Sequence, residues 1–228
     1  MTLPLLPEED HHCESCGLRY GDLTTAAALG LIRSYPTRYR RRLQHLPVDV
    51  LRRRPTSWVW SALEYACHVR DVYDVYDTRI RRTLTEHEPT LEPMRNDERA
   101  EHRAYNQQSL AAVLLDLERN VDRFAALTSE ISEPQWRRSA VRLPRERRTV
   151  LWMVRQAAHE GLHHLHDIGA GATDNAVLLD VEYAPPTPTT NLPAHTTAPT
   201  PSATPTPSSP TGWTGRTHKP KEPNECRR

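Results

Sequence analysis

The chain has 228 residues, 37% of them hydrophobic, with 30 Lys and Arg against 29 Asp and Glu and a formal net charge of +1. That balance supplies no global field for nucleic acid or an anionic membrane, and the longest apolar runs fall far short of a bilayer span. The start MTLPLLPEEDHH lacks the basic residues and long apolar centre of a signal peptide, so a cytoplasmic location is expected; the 4 scattered cysteines argue against a disulfide framework.

Residues 1–22 are expected to form an N-terminal segment marked by HHCESCG. Cys13 and Cys16 have the C-x-x-C spacing of half a structural zinc site, with Gly17 permitting a tight turn. Two further ligands would have to come from His11 or His12, from elsewhere in the fold, or from a second subunit. Idle thiols and a redox pair are the other readings, and the βαβ context of a thioredoxin-like motif is missing.

A first helix is predicted from Leu29, Ile32, Pro36, Tyr39, Leu43 and Leu46, which recur at three and four residues, with Pro36 expected to kink or break it. Its RYRRR run reads as a solvated face. A second helix opens at Ser61-Ala62-Leu63-Glu64, a capping-box pattern after Trp58 and Trp60, and its apolar spacing runs to about Thr85. The polar stretch from Glu86 to Gln108 contains Pro89 and Pro93 and reads as a solvated connection, with a lid as the alternative.

Leu110, Leu114, Leu117, Val121, Phe124 and Ile131 predict a third helix with near-heptad spacing, interrupted at Thr128. The fourth runs from about Thr149 to Asp167, with Leu151, Val154, Ala158, Leu162 and Leu165 inward. No stretch between them alternates with period two for long enough to argue a sheet. An all-α fold, a four-helix bundle over residues 23–170, is the economical architecture. Eleven of the 20 prolines follow Ala184 among Thr, Ser and Ala, so residues 171–228 are expected to be a disordered Pro/Thr-rich tail, in line with a mean hydropathy of -0.72.

On the second helix His68 shares a face with Tyr65, Val72 and Val75 and points inward. On the fourth, His159 and His163 lie one turn apart on a common face, continued by His166, while His164 is rotated by about 100°. Two helices can thus converge three imidazoles, the ligand set of a catalytic-type divalent site. The bland alternative is a core histidine bonded to Glu64 or Asp71 and a His-rich helix end favoured by the dipole. HEGLH, residues 159–163, also fits H-E-x-x-H of metalloproteases, but no third ligand or substrate-holding strand follows it. Glu160 is therefore expected to flank the site or face solvent.

WSALEYACHVRDV, from Trp60 to Val72, followed downstream by Trp152 and HEGLHHLHDI, resembles the DinB/YfiT-like superfamily of four-helix bundles, particularly its actinobacterial members, over about residues 23–168. The resemblance implies a divalent ion held by one histidine of the second helix and an H-x-x-x-H pair of the fourth, here His68, His159 and His163. It further implies thiol-dependent S-transferases or isomerases, with mycothiol as cosubstrate in an actinobacterial chain.

Such a metal would activate the thiolate without a protein nucleophile. Asp71 or Glu64 would orient His68, and Cys67 would be a small buried hydrophobe. Tyr105 and Asn106 also match the relatives and carry no assigned role. Three imidazoles suit zinc, nickel, copper or iron, with availability deciding among them, and zinc or nickel is expected. The expected partners are a small-molecule thiol and an electrophile, with no nucleic acid or membrane and with a homodimer as the default oligomer. A non-catalytic metal-binding stress or interaction module remains the second class, and a metallopeptidase the third.

Overall fold

A computed structural model describes residues 5–143 and 146–172, with side chains through residue 169. The expected Pro/Thr-rich tail falls outside the described residues apart from its first backbone positions. Among the described residues no helix is long and apolar enough to cross a membrane.

Four long helices carry the fold: α1 (Thr25–Leu43), α3 (Ala62–Thr85), α5 (Leu110–Ser129) and α7 (Val150–Ala172). Three short ones lie between them: α2 (Val48–Arg52), α4 (Asn96–His102) and α6 (Glu133–Trp136). The four-helix bundle expected from periodicity is the fold observed. In α1 the stripe Ile32, Pro36, Tyr39 and Leu43 is buried. Pro36 does not break this helix, which runs on past it for two turns; the ring forfeits one backbone hydrogen bond at a position packed in the core.

The predicted capping box at the start of α3 is present. Ser61 Oγ accepts from Glu64 N–H at 3.2 Å, and Glu64 Oε2 accepts from Ser61 N–H at 2.8 Å. In α5 the polar Thr128 interrupts the apolar pattern without interrupting the helix, because its buried hydroxyl donates to Phe124 O at 2.8 Å.

Around the bundle the helices follow the order α1, α5, α3, α7, and contact across the α1–α3 diagonal is slight. Two of the three connections therefore cross the end of the bundle instead of joining neighbours. That demands length, supplied by α2 between α1 and α3, and by α6 and a small ribbon between α5 and α7. The ribbon pairs β1 (Ser139–Val141) with β2 (Arg147–Thr149) antiparallel. Three residues per strand are too few to show period-two alternation, so the sequence carried no sign of it.

The connection from Glu86 to Gln108 is not simply a solvated loop. Tyr105 is fully buried, and its hydroxyl donates to Asp71 Oδ2 at 2.6 Å. Asp71 also accepts from Arg70 at 2.8 Å and Arg103 at 3.2 Å, so it serves to dock this segment on α3 and does not touch His68. Asn106 accepts from Ser61 Oγ and donates to Arg52 O, tying the same segment to the start of α3.

The core is rich in tyrosine: the chain has 8 Tyr and 1 Phe. Three of these rings donate to backbone carbonyls of α7, Tyr35 to Ala158 at 2.5 Å, Tyr73 to Ala157 at 3.0 Å and Tyr39 to Gly161 at 3.0 Å. A carbonyl has two lone pairs, so the helix keeps its own bonds and gains fixed neighbours. These contacts hold the segment that carries the histidines.

Residues 6–23 run along α7. Arg148 donates to Pro7 O and Leu6 O, Trp152 Nε1 donates to Glu8 O at 3.2 Å, and Arg155 donates to Leu23 O at 2.9 Å. Glu9 accepts from both N–H and Oγ of Thr149, at 2.8 and 2.9 Å, placing a carboxylate at the positive end of α7.

Candidate functional site

The helix α7 carries two pairs with i,i+4 spacing, offset by a single residue: His159 with His163, and Glu160 with His164. One residue of offset is about 100° of rotation, so the two pairs face different neighbours. The side toward α3 receives His68. The other side receives the N-terminal segment.

The three imidazoles expected to share one point therefore do not form one group. His68 comes together with Glu160 and His164, and His159 and His163 come together with Cys13 and Cys16; within each group one donor atom per residue lies within 4.8 Å of the others. The expectation joined α3 to the other face of α7, having placed Glu160 in solvent or at the margin, whereas Glu160 lies between His68 and His164. The overlooked signal was that Glu160 and His164 are themselves one turn apart.

In the first group Glu160 Oε2 stands 3.1 Å from His68 Nε2 and 3.1 Å from His164 Nε2. Gln156 Nε2 donates to the other carboxylate oxygen at 2.6 Å, and Asp167 Oδ2 lies 2.8 Å from His164 Nδ1. His68 and His164 are 2% and 6% exposed, so these are interior polar groups that must be satisfied by one another or by an ion. The Trp60 ring lies 5.2 Å from that of His68, and Tyr65 stacks on His164 at 5.0 Å.

The charges follow from this packing. Burial pushes the Glu160 carboxyl up, but the bonds and charges of His164 and His68 outweigh it and hold it well below its usual range. Burial likewise pushes the His164 imidazole down, against Asp167 and Glu160, which prevail and raise it to about 9. For His68 burial wins, and its pKa is lowered. His68 Nδ1 is buried with no hydrogen-bond partner.

Two imidazoles and a carboxylate aimed at a common point fit a divalent ion, with Asp167 and Gln156 positioned to orient two of the three donors. Glu64, the other residue expected to orient His68, is instead engaged by Arg54 and Ser61. Cys67 is fully buried, and burial pushes its thiol up to about 12; its Sγ faces Tyr105 O and Gln108 Oε1. It packs as a small hydrophobe, as expected. The protease arrangement is not assembled, since Glu160 is committed to His68, His164 and Gln156.

In the second group Cys13 Sγ lies 3.4 Å from His163 Nδ1, and Tyr20 Oη lies 3.1 Å from His159 Nδ1. The Cys16 thiol is pushed well above its usual range by its hydrogen bond with Cys13 and by burial. His11 sits beside this group, its ring 5.5 Å from that of His159, and burial lowers its pKa.

A four-helix bundle in which α7 presents buried histidines and half-buried carboxylates to two neighbours is of the class that builds ion sites between facing helices. A sequence profile of the DinB superfamily matches residues 32–168, more than half of the chain, and the chain belongs to that superfamily. The solved structure of YfiT from Bacillus subtilis, described as a probable metal-dependent hydrolase with an unusual four-helix bundle topology, is similar at a TM-score of 0.64. That match has 16% identity and covers 75% of this chain and 93% of the other, a likeness of fold. None of the curated proteins matches the chain by sequence.

Proposed function

We propose that this chain is a cytoplasmic metal-dependent enzyme in which His68, Glu160 and His164 hold a divalent ion, zinc or nickel, that activates a low-molecular-weight thiol such as mycothiol for transfer to an electrophile or for isomerisation. The observation that carries the reading is a single half-buried carboxylate oxygen, Oε2 of Glu160, 3.1 Å from a ring nitrogen of each of two buried histidines on different helices. A divalent ion in such a set lowers the pKa of a coordinated thiol or water, so that the nucleophile is anionic at neutral pH.

The chain's own residues set up that chemistry. Gln156 holds one Glu160 oxygen and leaves the other to the imidazoles. Asp167 accepts from His164 Nδ1, which presents Nε2 inward. Trp60 and Tyr65 cover the two rings and keep bulk water from them.

Hydrolysis is a second reading. Two histidines and a glutamate are the donor set of thermolysin-type hydrolases, and YfiT is described as a probable metal-dependent hydrolase.

One experiment separates these. The chain is loaded with zinc or nickel, and thiol consumption against a panel of electrophiles is followed beside hydrolysis of activated esters, with Glu160→Gln and His164→Ala as controls. Metal-dependent thiol loss that vanishes in both variants is the expected result. Ester hydrolysis alone favours the second reading, bound metal with neither activity favours a non-catalytic module, and a chain that binds no metal overturns all three.

A further inference from the structure

The second donor group lies outside the site just described, and its parts come from opposite ends of the fold. Residues 11–20 form a tight hairpin: His12 bridges Arg19, Cys13 N–H donates to Leu18 O at 2.9 Å, and Gly17 N–H donates to Cys13 O at 2.8 Å. Gly17 adopts a φ of 75°, a left-handed conformation that a side chain would strain. The turn thus brings the two sulfurs to one side of a rigid loop, within reach of the histidines of α7.

The histidines opposite are prepared in the same sense. Tyr20 Oη donates to Gln156 Oε1 at 2.5 Å, so its contact with His159 Nδ1 at 3.1 Å is filled by a proton on the imidazole. His159 is thereby held as the tautomer with a lone pair on Nε2, and that atom is buried without any hydrogen-bond partner. A buried, unpartnered nitrogen on a histidine grouped with two sulfurs asks for a cation. His163 Nδ1 lies 3.4 Å from Cys13 Sγ, and its Nε2 lies 3.6 Å from Asp167 Oδ2, which can hold the far side of the ring.

We propose that Cys13, Cys16, His159 and His163 form a closed, four-ligand structural zinc site that fastens the N-terminal segment to α7. Bonds of about 2.3 Å to sulfur and 2.0 to 2.1 Å to nitrogen place neighbouring donors of a tetrahedron about 3.5 Å apart. The Cys13–His163 separation is at that value, and all four donors lie within 4.8 Å of one another. Two thiolates and two neutral imidazoles balance the charge of the ion. Four protein ligands leave no open position, so the site holds structure and not substrate.

The site and the His68 group are linked through hydrogen bonds from His159 to Tyr20, Gln156 and Glu160, but their ligands do not overlap. The inference therefore stands or falls independently of the proposed activity.

The test uses the full chain, purified reduced, stripped of metal and titrated with cobalt(II). The expected result is the intense visible absorption of tetrahedral cobalt together with thiolate-to-cobalt charge transfer in the near ultraviolet. The charge-transfer band should be lost in Cys13→Ser/Cys16→Ser and retained in His68→Ala and in Cys67→Ala/Cys226→Ala. Zinc in the chain as purified should fall by one equivalent in the first double variant. Absence of the charge-transfer band in the unsubstituted chain overturns the proposal, as does a band that survives loss of Cys13 and Cys16. The unsubstituted spectrum decides the matter even where the double variant fails to fold.

Discussion

The ring of Tyr35 packs against Gly161, so close that a Cβ built there would clash with Tyr35 Cε2 and Cδ2. The ring cannot retreat, because it is fully buried, donates to Ala158 O and is packed beside Tyr39 and Tyr73. Gly161→Ala is therefore expected to destabilise. Overpacking costs about 1 to 3 kcal/mol, against about 1 kcal/mol gained from helix propensity. Urea denaturation should show a lower midpoint for the variant; an unchanged or higher midpoint would mean that α1 and α7 are free to move apart.

Asp167 touches His164 at Nδ1, the ring nitrogen turned away from Glu160. If His164 holds an ion, Asp167→Asn should weaken it about 10- to 100-fold, the usual loss for a residue that orients a ligand. Competition against a chelator of known affinity measures this, with circular dichroism to confirm that the helix content is intact. An unchanged affinity would remove His164 from the ligand set.

The Glu64 carboxyl is pushed up by burial, but the hydrogen bonds from Arg54 and Ser61 outweigh this and leave it below its ordinary value. A carboxyl depressed in the native state adds stability above its unfolded pKa, roughly 4.3, and that stability is lost as pH falls through the native value. The native chain should lose stability on the acid side of that range, and Glu64→Gln should flatten the slope there. Denaturation midpoints at pH 3 to 7 for both proteins check the sign; parallel curves would refute it.

Glu9 occupies the start of α7 by accepting from Thr149 N–H and Oγ. Glu9→Ala should cost about 1 kcal/mol, the usual loss for a capping interaction. It should also loosen residues 6–23, seen as faster hydrogen exchange between Leu6 and Tyr20. Exchange confined to the first turn of α7 would limit the contact to capping alone.

Much of this architecture could be read from residue spacing. Ser61 and Glu64 announced the start of α3, and the apolar repeats of α1, α5 and α7 announced the bundle, because capping and burial are decided by residues close in sequence. The ribbon of three-residue strands and the docking of Tyr105 on Asp71 could not be read, since both depend on contacts between distant segments. The candidate site was half legible. His68 and the histidine-rich turn of α7 were singled out, but which of two adjacent faces meets α3 depends on the rotation of α7. That rotation is set by Tyr35, Tyr39 and Tyr73 gripping its carbonyls, a property of the packed bundle and not of any local pattern.

Because donors repeat along α7 at neighbouring positions, its azimuth acts as a selector. One residue inserted between Thr149 and Gln156 would advance everything after it by about 100°. His159 and His163 would then take the places that Glu160 and His164 now hold, opposite His68. The chain stands a single codon from exchanging an anionic ligand for a wholly neutral trio, at the cost of setting the Glu160 side chain in the place of Gly161 against the Tyr35 ring and of drawing both histidines away from Cys13 and Cys16.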